Sequence, residues 1–221
     1  MANKILILSD PHLPFICWKT VAQAYKFKQE FKPDLIVCTG DLLDEKAWGK
    51  FQRYADDPSA QEEWDEAVLG ANEFARRFPK LVMLRSNHDA RYMKRAAEAG
   101  LVKAMVRPLS EIIKAPGWKW HMDSSPYIIP GTNIACMHGD EGQGMPIATA
   151  AILGYNIVQG HSHKASLHYL NTFDKQLFGM DAGCMMDGKS KAARYAALRL
   201  RKIWNGFGYI ENNVPHLIPK I

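Results

Sequence analysis

No two of the four cysteines in this 221-residue sequence form a Cys-x-x-Cys pair, and nothing crowds them into the disulfide framework of a small secreted domain. Cys38 and Cys136 each sit inside an apolar run, where a free thiol acts as a small buried hydrophobe. A reducing compartment is expected. Long apolar runs are missing too. None approaches the ~20 residues of a membrane span, and the N-terminus opens on a strand-like run with no apolar core of signal-peptide length. These absences predict a cytoplasmic protein with no membrane partner. Charge of one sign is also scarce: 28 Lys and Arg face 23 Asp and Glu, a formal net charge of +5. That balance permits an anionic substrate without requiring nucleic acid. Internal repeats, low-complexity tracts and linkers are absent, so residues 1–221 are expected to form a single domain, able to bury about 70% of the surface its unfolded chain exposes.

What is present is a repeated event. Five apolar runs of strand length each end in a polar cluster bearing Asp, Asn or His. Ile5 to Leu8 leads into Ser9-Asp10-Pro11-His12, Leu35 to Cys38 into Thr39-Gly40-Asp41-Leu42-Leu43-Asp44, and Leu81 to Leu84 into Arg85-Ser86-Asn87-His88-Asp89. Asn133 to Met137 ends in His138-Gly139-Asp140, and Tyr155 to Gln159 in Gly160-His161-Ser162-His163. Residues two apart in an extended segment point the same way, so His161 and His163 can converge.

Between these runs the spacing predicts helices. One ends before Pro33. Another starts near Asp57-Pro58-Ser59, with Ser59 and Glu62 placed for a capping box, and ends at Pro79. The Trp and Tyr residues between 48 and 64 could stack a base from an insert over the site, but packing into the core is the preferred reading. Strand-helix-strand units of this kind make parallel strands, with their carboxyl ends on one edge. Residues 90–100 and part of 101–116 read as helical, Pro146 to Leu153 as a short helix. Three short β runs from Trp118 to Met137 suggest an antiparallel section. Alternating patterns at 165–170, 176–180, 195–203 and 207–210 predict further strands, with Asn205-Gly206 as a hairpin turn.

Open α/β sheets bind ligands outside the carboxyl ends of their strands, where all five clusters fall. Asp10, His12, Asp41, Asn87, His138, His161 and His163 together offer seven oxygen and nitrogen donors, too many for one ordinary ion. Two ions sharing a carboxylate account for them. Mixed imidazole and carboxylate ligation suits Mn, the first choice here, or Fe, Zn, Co or Ni. Paired metals suit phosphoryl transfer, with a shared acidified water attacking phosphorus. His88, left over once ligands are assigned, is the general-acid candidate, with Asp44 as the carboxylate that would orient it. Arg85 and Arg91 flank the same cluster and are candidates for gripping phosphate. The stretch from Lys189 to Lys202 has six cations and no carboxylate; its field could guide a polyanion, although such a run in an alternating strand is more often a solvated face.

These blocks, Asp10-x-His12, Gly40-Asp41-x-x-Asp44, Asn87-His88-Asp89, His138 and Gly160-His161-x-His163, resemble the five-block signature of the calcineurin-like metallophosphoesterases across residues 5–163. The resemblance implies an α/β fold, a four-layer α/β/β/α sandwich of two mixed β-sheets. It implies that Asp10, His12 and His163 serve one divalent ion, Asn87, His138 and His161 the other, that Asp41 bridges, and that the catalytic imidazole is His88. Ser86 replaces the glycine usual before the Asn-His pair. Glu45-Lys46 replaces the Arg-Gly of protein Ser/Thr phosphatases, which argues against a phosphoprotein substrate. Asp181-Ala182-Gly183-Cys184 is given no role. The expected function is a metal-dependent phosphoesterase acting on phosphomono- or diesters, nucleotides or nucleic-acid ends foremost, with no obligate protein partner. The alternatives are a DNA nuclease like the family's double-strand-break-repair branch, and a catalytically silent scaffold.

Overall fold

In the computed structural model, which describes residues 2–49, 54–190 and 203–221, the apolar runs become the strands of two mixed sheets. The first half of the chain builds four strands of one of them. Strand β1 (Lys4–Leu8) is followed by helix α1 (Trp18–Phe31), β2 (Leu35–Cys38), a 3-10 turn (Lys46–Trp48), α2 (Ala60–Arg77) and β3 (Leu81–Leu84). Then come α3 (Arg91–Glu98), the short α4 (Leu109–Ile112) and β4 (Trp118–His121). The second half gives β5 (Tyr127–Ile128), β6 (Ile134–Cys136), α5 (Pro146–Leu153), β7 (Asn156–Gln159), β8 (Ala165–Asn171), β9 (Gln176–Ala182), β10 (Gly206–Glu211) and β11 (Val214–Pro219).

The six-stranded sheet runs β11-β10-β1-β2-β3-β4, and the five-stranded sheet β5-β6-β7-β9-β8. β1 to β4 are mutually parallel, as are β6, β7 and β9, while β5, β8, β10 and β11 run antiparallel to their neighbours.

Alternation along the strands explains the layering. Ile5, Ile7, Val37, Val82 and Leu84 face one way and meet Ile134, Cys136, Val158, Phe178 and Met180 of the second sheet. The intervening Leu6, Leu8, Ile36, Cys38 and Met83 face the other way, onto Val21 and Ala24 of α1 and Ala67, Ala71 and Phe74 of α2. On the far side, Ala135, Ile157 and Leu177 pack with Ala150 of α5. Sheets buried on both faces read as unbroken apolar runs, as here. The result is the α/β/β/α sandwich.

Local signals set the helix ends. Ser59 caps α2, its Oγ accepting from Glu62 N at 3.2 Å while Ser59 N donates to Glu62 Oε2 at 2.7 Å, a full capping box. Pro146 opens α5 and Gly154 closes it in the left-handed region.

Two expectations need correction. β4 is not part of an antiparallel section: it pairs parallel with β3, Leu81 opposite Trp118, because the helical stretch before it carries the chain back to the first sheet. Asn205-Gly206 is not the hairpin turn. Gly206 already pairs with Pro219, and the chain reverses at Asn212-Asn213, whose φ values of 51° and 65° suit a tight two-residue turn. β11 escaped detection because Pro215 and Pro219 interrupt its pattern, and proline is tolerated on an edge strand. The strand expected over 195–203 lies, except for Ile203, outside the described residues, as does most of the basic stretch 189–202.

Candidate metal centre

The carboxyl ends of β1, β2 and β3 in one sheet and of β6 and β7 in the other open onto a common edge. The turns leaving them are sharp. Asp10, His12, Asp41, His161 and His163 all have positive φ, between 50° and 68°, and Gly40 has φ 107°. Gly160 is required for another reason: a Cβ there would stand 2.2 Å from Ser9 Oγ and 2.3 Å from Asp10 Oδ2. With hydrogen in that place, His161 N donates to Asp10 Oδ1 at 3.0 Å, which joins the fifth cluster to the first.

Side chains from both sheets converge. Asp10, His12, Asp41 and His163 place donor atoms within 4.8 Å of one another, as do Asp41, His138 and His161, so that Asp41 belongs to both groups. His12 Nε2 is 2.9 Å from His163 Nε2 and 3.4 Å from Asp41 Oδ2. His138 Nε2 is 2.9 Å from Asn87 Oδ1, 3.2 Å from His161 Nδ1 and 3.3 Å from Asp41 Oδ1. All seven candidates from the sequence are therefore brought together. The buried histidines are oriented by bonds on their far nitrogens: His12 Nδ1 to Asp44 Oδ1 at 2.8 Å, and His138 Nδ1 to the Thr39 carbonyl at 3.0 Å. Both Nε2 atoms are thereby aimed inward.

The electrostatics call for a cation. Asp10 and Asp41 are buried, and the groups that offset their charge are the imidazoles of His138 and His12, joined at Asp41 by His88. Burial would lower His12, but the bond to Asp44 and the nearby carboxylates outweigh it and raise the imidazole to about 9. His138 rises to about 10 against the same opposition from burial, through Asp41 and Asp10. His163, half-buried and facing His12, falls to about 3 through desolvation and that neighbour's charge. Burial lifts Asp10 to about 6. Asp41 is also disfavoured by burial, yet His138, His88 and His12 hold it well below the usual carboxylate range. Two buried carboxylates thus draw positive charge onto the imidazoles around them. Oxygen and imidazole donors converging on such a space fit divalent ions of the Mn, Fe or Zn kind.

His88 stands against this cluster, grouped with His12 and Asp44, its Nε2 3.9 Å from Asp41 Oδ2. The Asp44 carboxylate bonds His12, standing 3.5 Å from His88 Nδ1, and it is the Asp44 carbonyl that meets that nitrogen at 2.6 Å. His88 Nε2 faces Arg91 Nη2 at 2.7 Å, and Arg91 Nη1 donates to the Asp44 carbonyl at 2.8 Å. Burial, with His12 and Arg91 nearby, pushes His88 down to about 4. Arg85 is turned elsewhere, its Nη1 2.9 Å from Glu141 Oε1 and 3.7 Å from Asp140 Oδ2.

Two carboxylates escaped the sequence reading. Asp89 accepts from Leu42 N at 3.0 Å, Leu43 N at 2.8 Å and Ser86 Oγ at 2.7 Å, tying the turn after β3 to the turn after β2. Ser86 is thus a donor to the turn, and its Cβ fits because residue 40 is glycine: a Cβ on Gly40 would lie 2.6 Å away. Asp181, at the end of β9, accepts from Ser162 Oγ at 2.5 Å and from Gly183 N at 3.3 Å. It holds the residue between His161 and His163. Neither could be read from spacing, since each partner comes from a distant segment.

Two face-to-face mixed sheets with such a cluster at their shared edge have the make-up of a metallophosphoesterase. The family model for calcineurin-like phosphoesterases matches residues 3–175, and the chain belongs to that family. Similar solved structures include Yfce, a phosphoesterase from E. coli, at 15% identity and TM-score 0.50, over 98% of this chain and 92% of that one. An archaeal phosphodiesterase follows at 13% identity and TM-score 0.48, over 94% and 93%. Vps29 from Chaetomium thermophilum aligns at 15% identity and TM-score 0.45, over 94% of this chain and 81% of its own. No curated protein matches the sequence. Among the described residues, no helix is long and apolar enough to cross a membrane.

Proposed function

We propose that this protein is a phosphoesterase working through two divalent cations, with Mn the first choice, and that it hydrolyses phosphomono- or diesters of nucleotides or nucleic-acid ends. The observation that carries this reading is Asp41, common to two donor groups and buried between them. One ion would take Asp10, His12 and His163, the other Asn87, His138 and His161, with Asp41 shared. When bound, such a pair withdraws charge from phosphoryl oxygens and makes water acidic enough to attack phosphorus.

The chain's own groups do the rest. The Asp44 carboxylate and the Thr39 carbonyl fix the rings of His12 and His138. As the bond from water oxygen to phosphorus forms, the water's proton passes to solvent; as the ester P–O bond breaks, the departing oxygen takes a proton from His88 Nε2, which must first gain one from solvent because the imidazole, held at about 4, rests neutral. For that, Arg91 must leave His88 Nε2, and a phosphoryl oxygen supplies the stronger partner, since a guanidinium binds anionic oxygens better than a neutral imidazole. Arg85, engaged by Glu141 and Asp140, is the lesser candidate for gripping phosphate.

The test is turnover of p-nitrophenyl phosphate and of its bis-ester by Mn-loaded protein, with and without EDTA. Chelator-sensitive release of p-nitrophenolate from at least one ester is expected. Failure with both would overturn the reading.

A further inference from the structure

A shallow, open surface recess of about 330 Å³ is lined by Trp48, Ala60, Gln61, Trp64 and Tyr92. Three of its five walls are aromatic. The Trp48 ring stands edge-on to Trp64 at 5.7 Å between centroids, and the Tyr92 ring is tilted against Trp64 at 5.5 Å. Trp64 and Tyr92 lean with their inner edges on the main core. The sequence expectation that this aromatic stretch is core packing therefore describes only one side of it. No charged side chain is among the five. Gln61 commits its amide N–H to Asp65 Oδ1 at 2.9 Å, which leaves its carbonyl oxygen as a polar group at the mouth.

Position gives the recess its meaning. Trp48 closes the 3-10 turn that starts two residues after Asp44, and Tyr92 directly follows Arg91. The Arg91 guanidinium touches His88 Nε2 at 2.7 Å on one side, and on the other a Cβ added to Gly49 would stand 3.5 Å from its Nη1. Arg95 Nε holds the Trp48 carbonyl at 3.0 Å, fixing the turn against α3. The Arg91 guanidinium thus lies between His88 and the residue that follows Trp48, and its chain neighbour Tyr92 belongs to the aromatic lining. A phosphate, a connecting sugar and a flat ring have that order. A wall of aromatic faces with few polar groups accepts any base by stacking, and the volume is within the range of small-molecule sites.

We propose that this recess is a nucleobase subsite, in which the base of a nucleoside phosphate packs against Trp48 and Trp64 while its phosphate reaches Arg91 and the cluster. The inference rests on the phosphoesterase reading and narrows it to substrates that carry a base next to the scissile phosphate.

Two esters that release the same p-nitrophenolate separate the claims: thymidine 5′-(p-nitrophenyl phosphate) and methyl p-nitrophenyl phosphate, which lacks the base. Mn-loaded protein should prefer the thymidine ester by roughly tenfold or more in kcat/KM, the scale of one stacked base. Trp48→Ala should bring the ratio close to one, chiefly through KM, and Trp48→Phe should retain most of it. Equal use of both esters by the wild type, or a ratio untouched in Trp48→Ala, overturns the subsite while leaving the phosphoesterase reading in place. Calorimetric titration gives a readout independent of turnover: thymidine 5′-phosphate should bind at least tenfold tighter than inorganic phosphate, and equal affinities overturn the proposal even if neither ester is cleaved. A short oligothymidylate titrated alongside distinguishes a nucleic-acid end from a free nucleotide, and preference for either over phosphate supports the subsite.

Discussion

Replacing His88 with alanine should leave the metal content of the protein intact and cut turnover by about 10²- to 10⁴-fold, the usual contribution of a positioned proton donor. Elemental analysis and initial rates on the same preparation check both halves, and an unchanged rate removes His88 from the reaction. Asp181 makes a different prediction. Burial raises its carboxyl from 3.8 to about 7, so the folded chain holds that proton more tightly than the unfolded one. Its contribution to stability is full below the lower value and is lost as pH rises through the upper one. Asp181→Asn can keep the bond to Ser162 without the charge. In chelator-treated protein its Tm should gain on the wild type between pH 5 and pH 8, and parallel Tm curves would exclude the effect. At this scale the sequence was legible where a donor follows directly on an apolar run, as Asp10, Asp41, Asn87, His138 and His161 all do. It was opaque for Asp44, Asp89 and Asp181, because what a carboxylate binds depends on which distant loop arrives beside it. Asp44 illustrates this: its carboxylate goes to His12, 32 residues earlier in the chain, and only its carbonyl serves His88.

Elements whose ends carry their own chemistry could be placed from the sequence. Ser59 and Glu62 define the start of α2, and Pro146 and Gly154 bracket α5. Removing the Ser59 hydroxyl in Ser59→Ala should cost about 1 kcal/mol, measurable as a lower urea midpoint at constant slope. The β10–β11 hairpin and the parallel pairing of β4 were not legible, because sheet partners are chosen by packing across the whole molecule and edge strands carry weak alternation. The glycine that ends β7 has a sharper consequence. Gly160→Ala would push a methyl into Ser9 and Asp10, so bound metal should be lost while far-ultraviolet circular dichroism stays that of a folded chain. Full metal occupancy in that variant would show that the Asp10 carboxylate can move without cost.

For the molecule as a whole, the seven candidate ligands are drawn from both sheets: Asp10, His12, Asp41 and Asn87 from the first, His138, His161 and His163 from the second. Ions held there would fasten the two layers across an edge where the apolar contact of Val82 and Leu84 with Cys136 and Val158 gives out. Mn at a hundredfold excess over its Kd should then stabilise the fold by about 2.7 kcal/mol, seen as a rise in Tm that EDTA reverses and that Asp41→Asn abolishes. The pattern of buried strands disclosed an α/β protein with its polar groups on one edge. That there are two sheets rather than one came from the resemblance of the motifs, since a strand buried on both faces looks the same in a single sheet with helices on each side.

Five of the residues at that edge, Asp10, His12, Asp41, His161 and His163, hold the backbone in a region that side-chain-bearing residues seldom occupy. Glycine or asparagine would sit there more comfortably. Directed evolution rewarding heat resistance alone should therefore accumulate exchanges at these positions, and the survivors would be hardier proteins that had been disarmed.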